Sequence, residues 1–302
     1  MLAGEAATAA LLPVHRGRHN VDDLVARVTE GLPPRPVLSF ADSITRIPET
    51  GTALDGRVHD FGTNAWTGVA SHYFVYRRYV ERSGPPRLAS ITLALESYRA
   101  SLRGRVSEGN FDTIFQRPGE ILDFARTTRR VAQPLSMALD RILTPPTALS
   151  RGVVRRGFSP LLDRVAMPAE VPFSFIFWGD ASIVEAIEKR GADPDAEIPP
   201  LSQKYLEKLA EATERDGARL VIAHPAMPPS VLAAWRKNGR LAPLEALFAE
   251  VAARHRNVVV LPTETFADYD SLQFRDPFHL KPGPKAAYGA RLAAKLAGIL
   301  DE

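Results

Sequence analysis

Short apolar runs of strand length alternate along the chain with stretches of helical period. Strand-like runs fall at Pro36–Phe40, Gly56–Phe61, Leu88–Leu95, Arg219–Ala223 and Asn257–Leu261. Helical patterns fit Val69–Val80, Leu201–Arg215, Leu244–Arg254 and Pro284–Leu300. In the last of these, "KPGPKAAYGARLAAKLAGIL", Pro284 sits near the first turn, where a missing N–H removes no intrahelical hydrogen bond. The alternation predicts βα units and therefore an α/β fold with a parallel sheet. No internal repeat is visible.

One long stretch breaks the alternation. From about Ser97 to Arg215 the chain carries arginine-rich segments, Pro145-Pro146 and a further strand-like run at Val171–Trp178. The division expected is an N-terminal extension over 1–34 and one α/β domain over 35–302, with a helical, basic insertion at 100–200. That insertion is expected to cap one end of the sheet. In open parallel sheets ligands bind outside the carboxyl ends of the strands, so an insertion leaving from such an end helps to shape a pocket.

Composition narrows the class. The 302 residues are 45% hydrophobic and 24% charged, which is globular. A net charge of only +3 gives no general reason to expect nucleic acid. The charge is unevenly spread: between Arg126 and Arg156 lie seven arginines and a single acid, Asp140. This is either a solvated helical face or a surface for an anionic ligand. Without cysteine the chain has neither disulfides nor thiolate metal sites. The apolar stretch near the N-terminus is too short to span a bilayer, and no basic segment precedes it as in a signal peptide. The expected location is cytoplasmic as the chain stands, or periplasmic or secreted if a targeting segment has been removed.

The chemistry centres on "VLSFADSITRIPE", residues 37–49, where an apolar run stops at Ala41-Asp42-Ser43. Ser43 is either a nucleophile at the mouth of the sheet or a helix cap. A rival, "FSFIFWGDASIVEAIEKRG", places Asp180 and Ser182 in a similar strand-to-helix setting, where Asp180 suits an N-cap. A serine nucleophile needs a base to take its proton and a third group to orient that base. "FRDPFHLKPG" offers Asp276 and His279, three apart, on a loop before the final helix. The order Ser, Asp, His is that of hydrolases built on parallel α/β sheets.

These segments resemble the SGNH (GDSL-type) hydrolase superfamily. "FADSITR" looks like its first block, "VHDFGTNAWTG" is similar to its second, and "DPFHLKPGPKAAYG" looks like its last. The layout is closest to the branch of bacterial polysaccharide O-acetyltransferase-like and D-alanyl-transfer-like proteins. The resemblance implies a three-layer α/β/α sandwich with a mostly parallel sheet. It also implies Ser43 as nucleophile, His279 as general base and acid, and Asp276 as its orienting partner. The oxyanion donors would be the backbone N–H groups of Ser43 and Ala65, with Asn64 helping. Ala41 and Ala65 stand where the family has glycine. At the third block, usually Gly-x-Asn-Asp, "ITLALESYRAS" puts Glu96 in the position of the oxyanion-binding asparagine; an ionised carboxylate accepts hydrogen bonds only and repels an oxyanion.

The expected activity is acyl-ester hydrolysis or O-acyl transfer on a carbohydrate, without cofactor or metal. The alternatives are a catalytically weak module binding glycan or a partner, and glycoside chemistry using Glu96. Arg46 either pairs with Asp42 or holds a substrate anion. His224 either lines the pocket or is structural, His59 and His72 lack metal-ligand spacing, and Trp66, Tyr73 and Tyr98 are candidates for stacking on a sugar or for core packing.

Overall fold

A computed structural model of the protein describes residues 24, 27–42, 45, 47, 51–62, 68–99, 118–128, 185, 197–276 and 278–302. Five strands form one parallel sheet: β1 (Val37–Ala41), β2 (Val58–Asp60), β3 (Leu88–Thr92), β4 (Arg219–Ala223) and β5 (Val258–Val260). Their order across the sheet is β2-β1-β3-β4-β5. Seven α-helices accompany them among the described residues. They are α1 (Val69–Ser83), α2 (Leu95–Arg99), α3 (Pro118–Thr128), α4 (Pro200–Arg215), α5 (Pro229–Lys237), α6 (Ala242–Arg254) and α7 (Pro282–Asp301).

The strands are short and, in β1 to β3, buried along their whole length because helices cover both faces of the sheet. Phe40 of β1 packs on His72 and Tyr76 of α1, with ring centroids 5.6 and 6.4 Å apart. Helix α4 packs beside α1 and α6 in the same layer. Arg219 belongs to the opposite parity: its Nη1 donates to Ile299 O, in the last turn of α7, at 2.7 Å. Helix α7 therefore closes the other face, and the result is the α/β/α sandwich expected. In-register Ser39 and Ser90 share that second face, where small side chains permit close approach of a helix.

Proline explains where the later helices begin. Helices α4, α5, α6 and α7 each carry one at the first or second position, where φ is already helical. Helix α5, not anticipated from the pattern, buries Val231, Leu232 and Trp235 on one side. Strand β3 is shorter than expected: it stops at Thr92, and the rest of the apolar run turns into α2. A continuous apolar run satisfies a buried strand and a buried helix equally, so hydrophobicity alone does not mark the switch.

Leu24 and Val28 are buried in the same core as the sheet, so the segment just before β1 packs on the domain. Within the expected insertion, α3 packs against α4 and α1. Glu120 pairs with Arg77, and Asp123 accepts from Lys204 and, at 2.7 Å, from Lys208. This described part leans on the helical layer. Of the seven arginines between 126 and 156 only Arg126 is described, exposed near the end of α3; the other six, with Val171–Trp178, lie outside the described residues. Among the described residues no helix is long and apolar enough to cross a membrane.

A second electrostatic tie joins α6 to α4. His255 sits between two carboxylates, with Nδ1 2.8 Å from Glu214 and Nε2 2.8 Å from Glu207. Burial disfavours the imidazolium, but the hydrogen bonds to Glu214 and Glu207 outweigh it and raise the pKa. A raised folded-state value means the tie contributes fully below the ordinary histidine value of about 6.5 and is lost as pH rises through the folded value. We expect the melting temperature of wild type to exceed that of His255→Gln at about pH 6, and the gap to shrink at alkaline pH. A gap that grows towards alkaline pH would contradict this assignment.

Candidate active site

Because every strand is parallel, all carboxyl ends open on one edge of the sheet. Asp42 follows β1, Gly62 follows β2, Ala94 follows β3 and His224 follows β4. The chain leaving β5 passes through two 3-10 turns, Thr263–Phe266 and Ser271–Gln273, before it reaches Asp276.

Asp276 and His279 sit on a small hairpin. An antiparallel bridge between Phe274 and Leu280 closes it, and Lys281 N donates to Gln273 O at 2.8 Å. Phe274 and Leu280 are only 1% and 2% exposed, so the hairpin is anchored in the core. At its tip Asp276 Oδ1 accepts the backbone N–H groups of Phe278 and His279 at 2.9 and 2.8 Å. The same carboxylate lies 2.9 Å from His279 Nδ1 through both oxygens. Burial pushes the Asp276 carboxyl up, but the His279 side chain and the two backbone donors pull it below the ordinary aspartate value. Asp276 is therefore ionised across the neutral range and holds the proton of His279 on Nδ1. That makes Nε2 the basic nitrogen.

The end of β1 is tied to the end of β3. Asp42, 3% exposed, accepts from the backbone N–H of Ala94 at 2.7 Å and from Ser97 Oγ at 3.3 Å, both through Oδ2. Thr45 Oγ1 donates to Thr92 O at 2.6 Å and lies 3.3 Å from Asp42 Oδ1. Thr45 N also donates to Asp42 O at 3.3 Å. Burial raises the phenols of Tyr98 and Tyr288, and the Asp42 charge raises both further. At the end of β2, Asp60 Oδ1 accepts from Gly62 N at 3.0 Å.

Ser43, Arg46, Asn64, Ala65 and Trp66 lie outside the described residues, as do Asp180 and Ser182. Glu96 is placed through its backbone only, in the first turn of α2 rather than at the end of a strand. Tyr98 is fully buried against Phe248, at 5.2 Å, and so belongs to the core rather than to a sugar platform. Tyr73 packs on Phe74 and Tyr205 at 5.3 and 5.5 Å. His224 is buried beside Phe248, and burial pushes its imidazole down to about 4, so it is a neutral structural residue. His59 is fixed by Pro33 O at 2.8 Å, and His72 packs under Phe40. Among the described residues no group of His, Asp and Glu is arranged to hold a metal ion.

Thr45 and Ser97 were not foreseen as part of this edge. The Asp-x-x-Thr spacing of Asp42 and Thr45 was a usable signal, since such pairs close local turns. Nothing local could have marked Ser97. Comparison of the chain with protein-family models, curated proteins and solved structures gave no match.

Proposed function

We propose that the protein is an SGNH-like serine acyl-ester hydrolase or O-acyltransferase acting on carbohydrate. The observation that carries this reading is the Asp276–His279 pair. It lies on an anchored hairpin between β5 and α7, in a parallel sheet whose first strand leads directly into Asp42-Ser43.

In the proposed reaction Ser43 Oγ gives its proton to His279 Nε2 and bonds to the acyl carbonyl carbon. The carbonyl electron pair moves onto oxygen, where the N–H groups of Ser43 and Ala65 would meet it, helped by Asn64. Collapse of this intermediate breaks the bond to the leaving alcohol, which takes the proton from His279. Water or a sugar hydroxyl then attacks the acyl carbon while His279 takes its proton; the bond from that carbon to Ser43 Oγ breaks, and His279 returns the proton to Oγ. Hydrolysis and transfer use the same groups and differ in whether water is excluded.

A fluorophosphonate probe tests the reading. Wild type should be labelled on one serine and release acetate from small acetyl esters, and Ser43→Ala should do neither. Glu96→Gln should have the smaller effect, because the backbone donors remain. An unlabelled wild type would remove the nucleophile and leave a glycan- or partner-binding module. Loss of activity in Glu96→Gln with Ser43→Ala active would favour glycoside chemistry.

A further inference from the structure

We infer that Asp42 is a positioning residue that holds the Ser43 turn in register with the start of α2, the segment that carries Glu96. The inference rests on the ester chemistry proposed above and extends it to a residue outside the triad.

The two residues that bracket Ser43 and Ile44 are both fastened to the end of β3. On one side Asp42 Oδ2 receives Ala94 N–H at 2.7 Å and Ser97 Oγ at 3.3 Å. On the other, Thr45 Oγ1 donates to Thr92 O at 2.6 Å. The Thr45 N to Asp42 O hydrogen bond spans the step between them. Both fastenings are buried: Asp42 is 3% exposed, and Thr45 and Ser97 are 0% exposed. A carboxylate taken from water is costly unless donors replace the lost solvent, so it favours the geometry in which those donors converge.

The partners are far apart in sequence, 52 residues for Ala94 and 55 for Ser97, so these bonds join two separate loops and do not stabilise either alone. The same contact holds Asp42, the residue before Ser43, against the chain between the end of β3 and the first turns of α2.

Positioning of this kind is felt in the chemical step. A displacement of about 1 Å at a nucleophile costs on the order of 100-fold in rate without weakening ground-state binding. Asp42→Ala should therefore lower kcat and the fluorophosphonate labelling rate by about 10- to 100-fold and leave KM within about 2-fold of wild type. Asp42→Asn keeps a carbonyl oxygen able to accept from both Ala94 N and Ser97 Oγ, and should recover most of the loss. Ser97→Ala removes one donor and should lie between them.

The experiment measures kcat, KM, labelling rate and amide exchange of residues 94–99 in wild type and the three variants. Support is a kcat loss in Asp42→Ala with KM retained, faster exchange at Ala94, and rescue by Asn. Wild-type kcat and labelling in a folded Asp42→Ala overturn the inference, as does a loss of melting temperature with no change in kcat. If wild type itself neither labels nor hydrolyses an ester, the proposed function fails and this role of Asp42 fails with it. That result is distinct from a reactive wild type with an equally reactive Asp42→Ala.

Discussion

Under the proposed ester chemistry, replacing His279 by alanine should lower turnover of a small acetyl ester by about 10^4- to 10^6-fold at saturating substrate, the scale on which a triad's base is lost. Asp276→Asn will lower it by about 10^4-fold for a different reason. Asparagine still offers a carbonyl oxygen to the N–H groups of Phe278 and His279, so the hairpin tip keeps its shape. What it cannot supply is a second acceptor for Nδ1–H together with a negative charge near the imidazolium that forms during attack. The proton is then free to settle on Nε2, the nitrogen that must accept from Ser43. Because these groups act as a unit, adding His279→Ala to Ser43→Ala should cost almost nothing more. Initial rates for the single and double variants decide the matter. A His279→Ala enzyme within about tenfold of wild type would remove the histidine from the mechanism.

The largest effect on stability should come from Phe40→Ala, about 3–5 kcal/mol in a urea titration. Phe40 is 0% exposed on a strand with neighbours on both sides, and it touches three other rings. Phe61 lies 5.8 Å away, His72 5.6 Å and Tyr76 6.4 Å between centroids. Rigid rings on separate elements do not collapse readily into the vacated space, which places the loss towards the upper part of that range. Leu272→Ser is the control: Leu272 is 52% exposed, and the change should stay within about 0.5 kcal/mol. A loss below about 1 kcal/mol at Phe40 would contradict the packing described.

Arg219–Ala223 was legible residue for residue, because turn-forming residues bound a short β-rich run on both sides. The Asp276–His279 pair was legible for a similar reason: its members are three apart, and the backbone N–H groups that organise Asp276 belong to the next residues. The Pro-led starts of α4 and α6 lay in the sequence within two residues. Other features were misread or missed where competing patterns fit the same letters. "ITLAL" suits a strand to Leu95, yet β3 ends at Thr92. Tyr98 suited a sugar platform or the core equally by its letters, and the structure puts it against Phe248 in the core. Helix α5 follows a proline-rich stretch that reads as loop, and the burial of Val231, Leu232 and Trp235 on its inner side becomes visible only in the assembled fold.

The sequence by itself determined the parallel α/β class, the apolar runs of the strands and the short-range geometry of the Asp276–His279 hairpin. Period, proline placement and contacts three residues apart are written in neighbouring letters. Only the tertiary structure decided that Asp42 reaches Ala94 and Ser97, that Glu96 rides on a short helix, and that α3 leans on α1 and α4. Each of those depends on strands and helices distant in the chain coming into one register. A hydrogen bond across such a gap exists only once the sheet is assembled, so no local pattern records it.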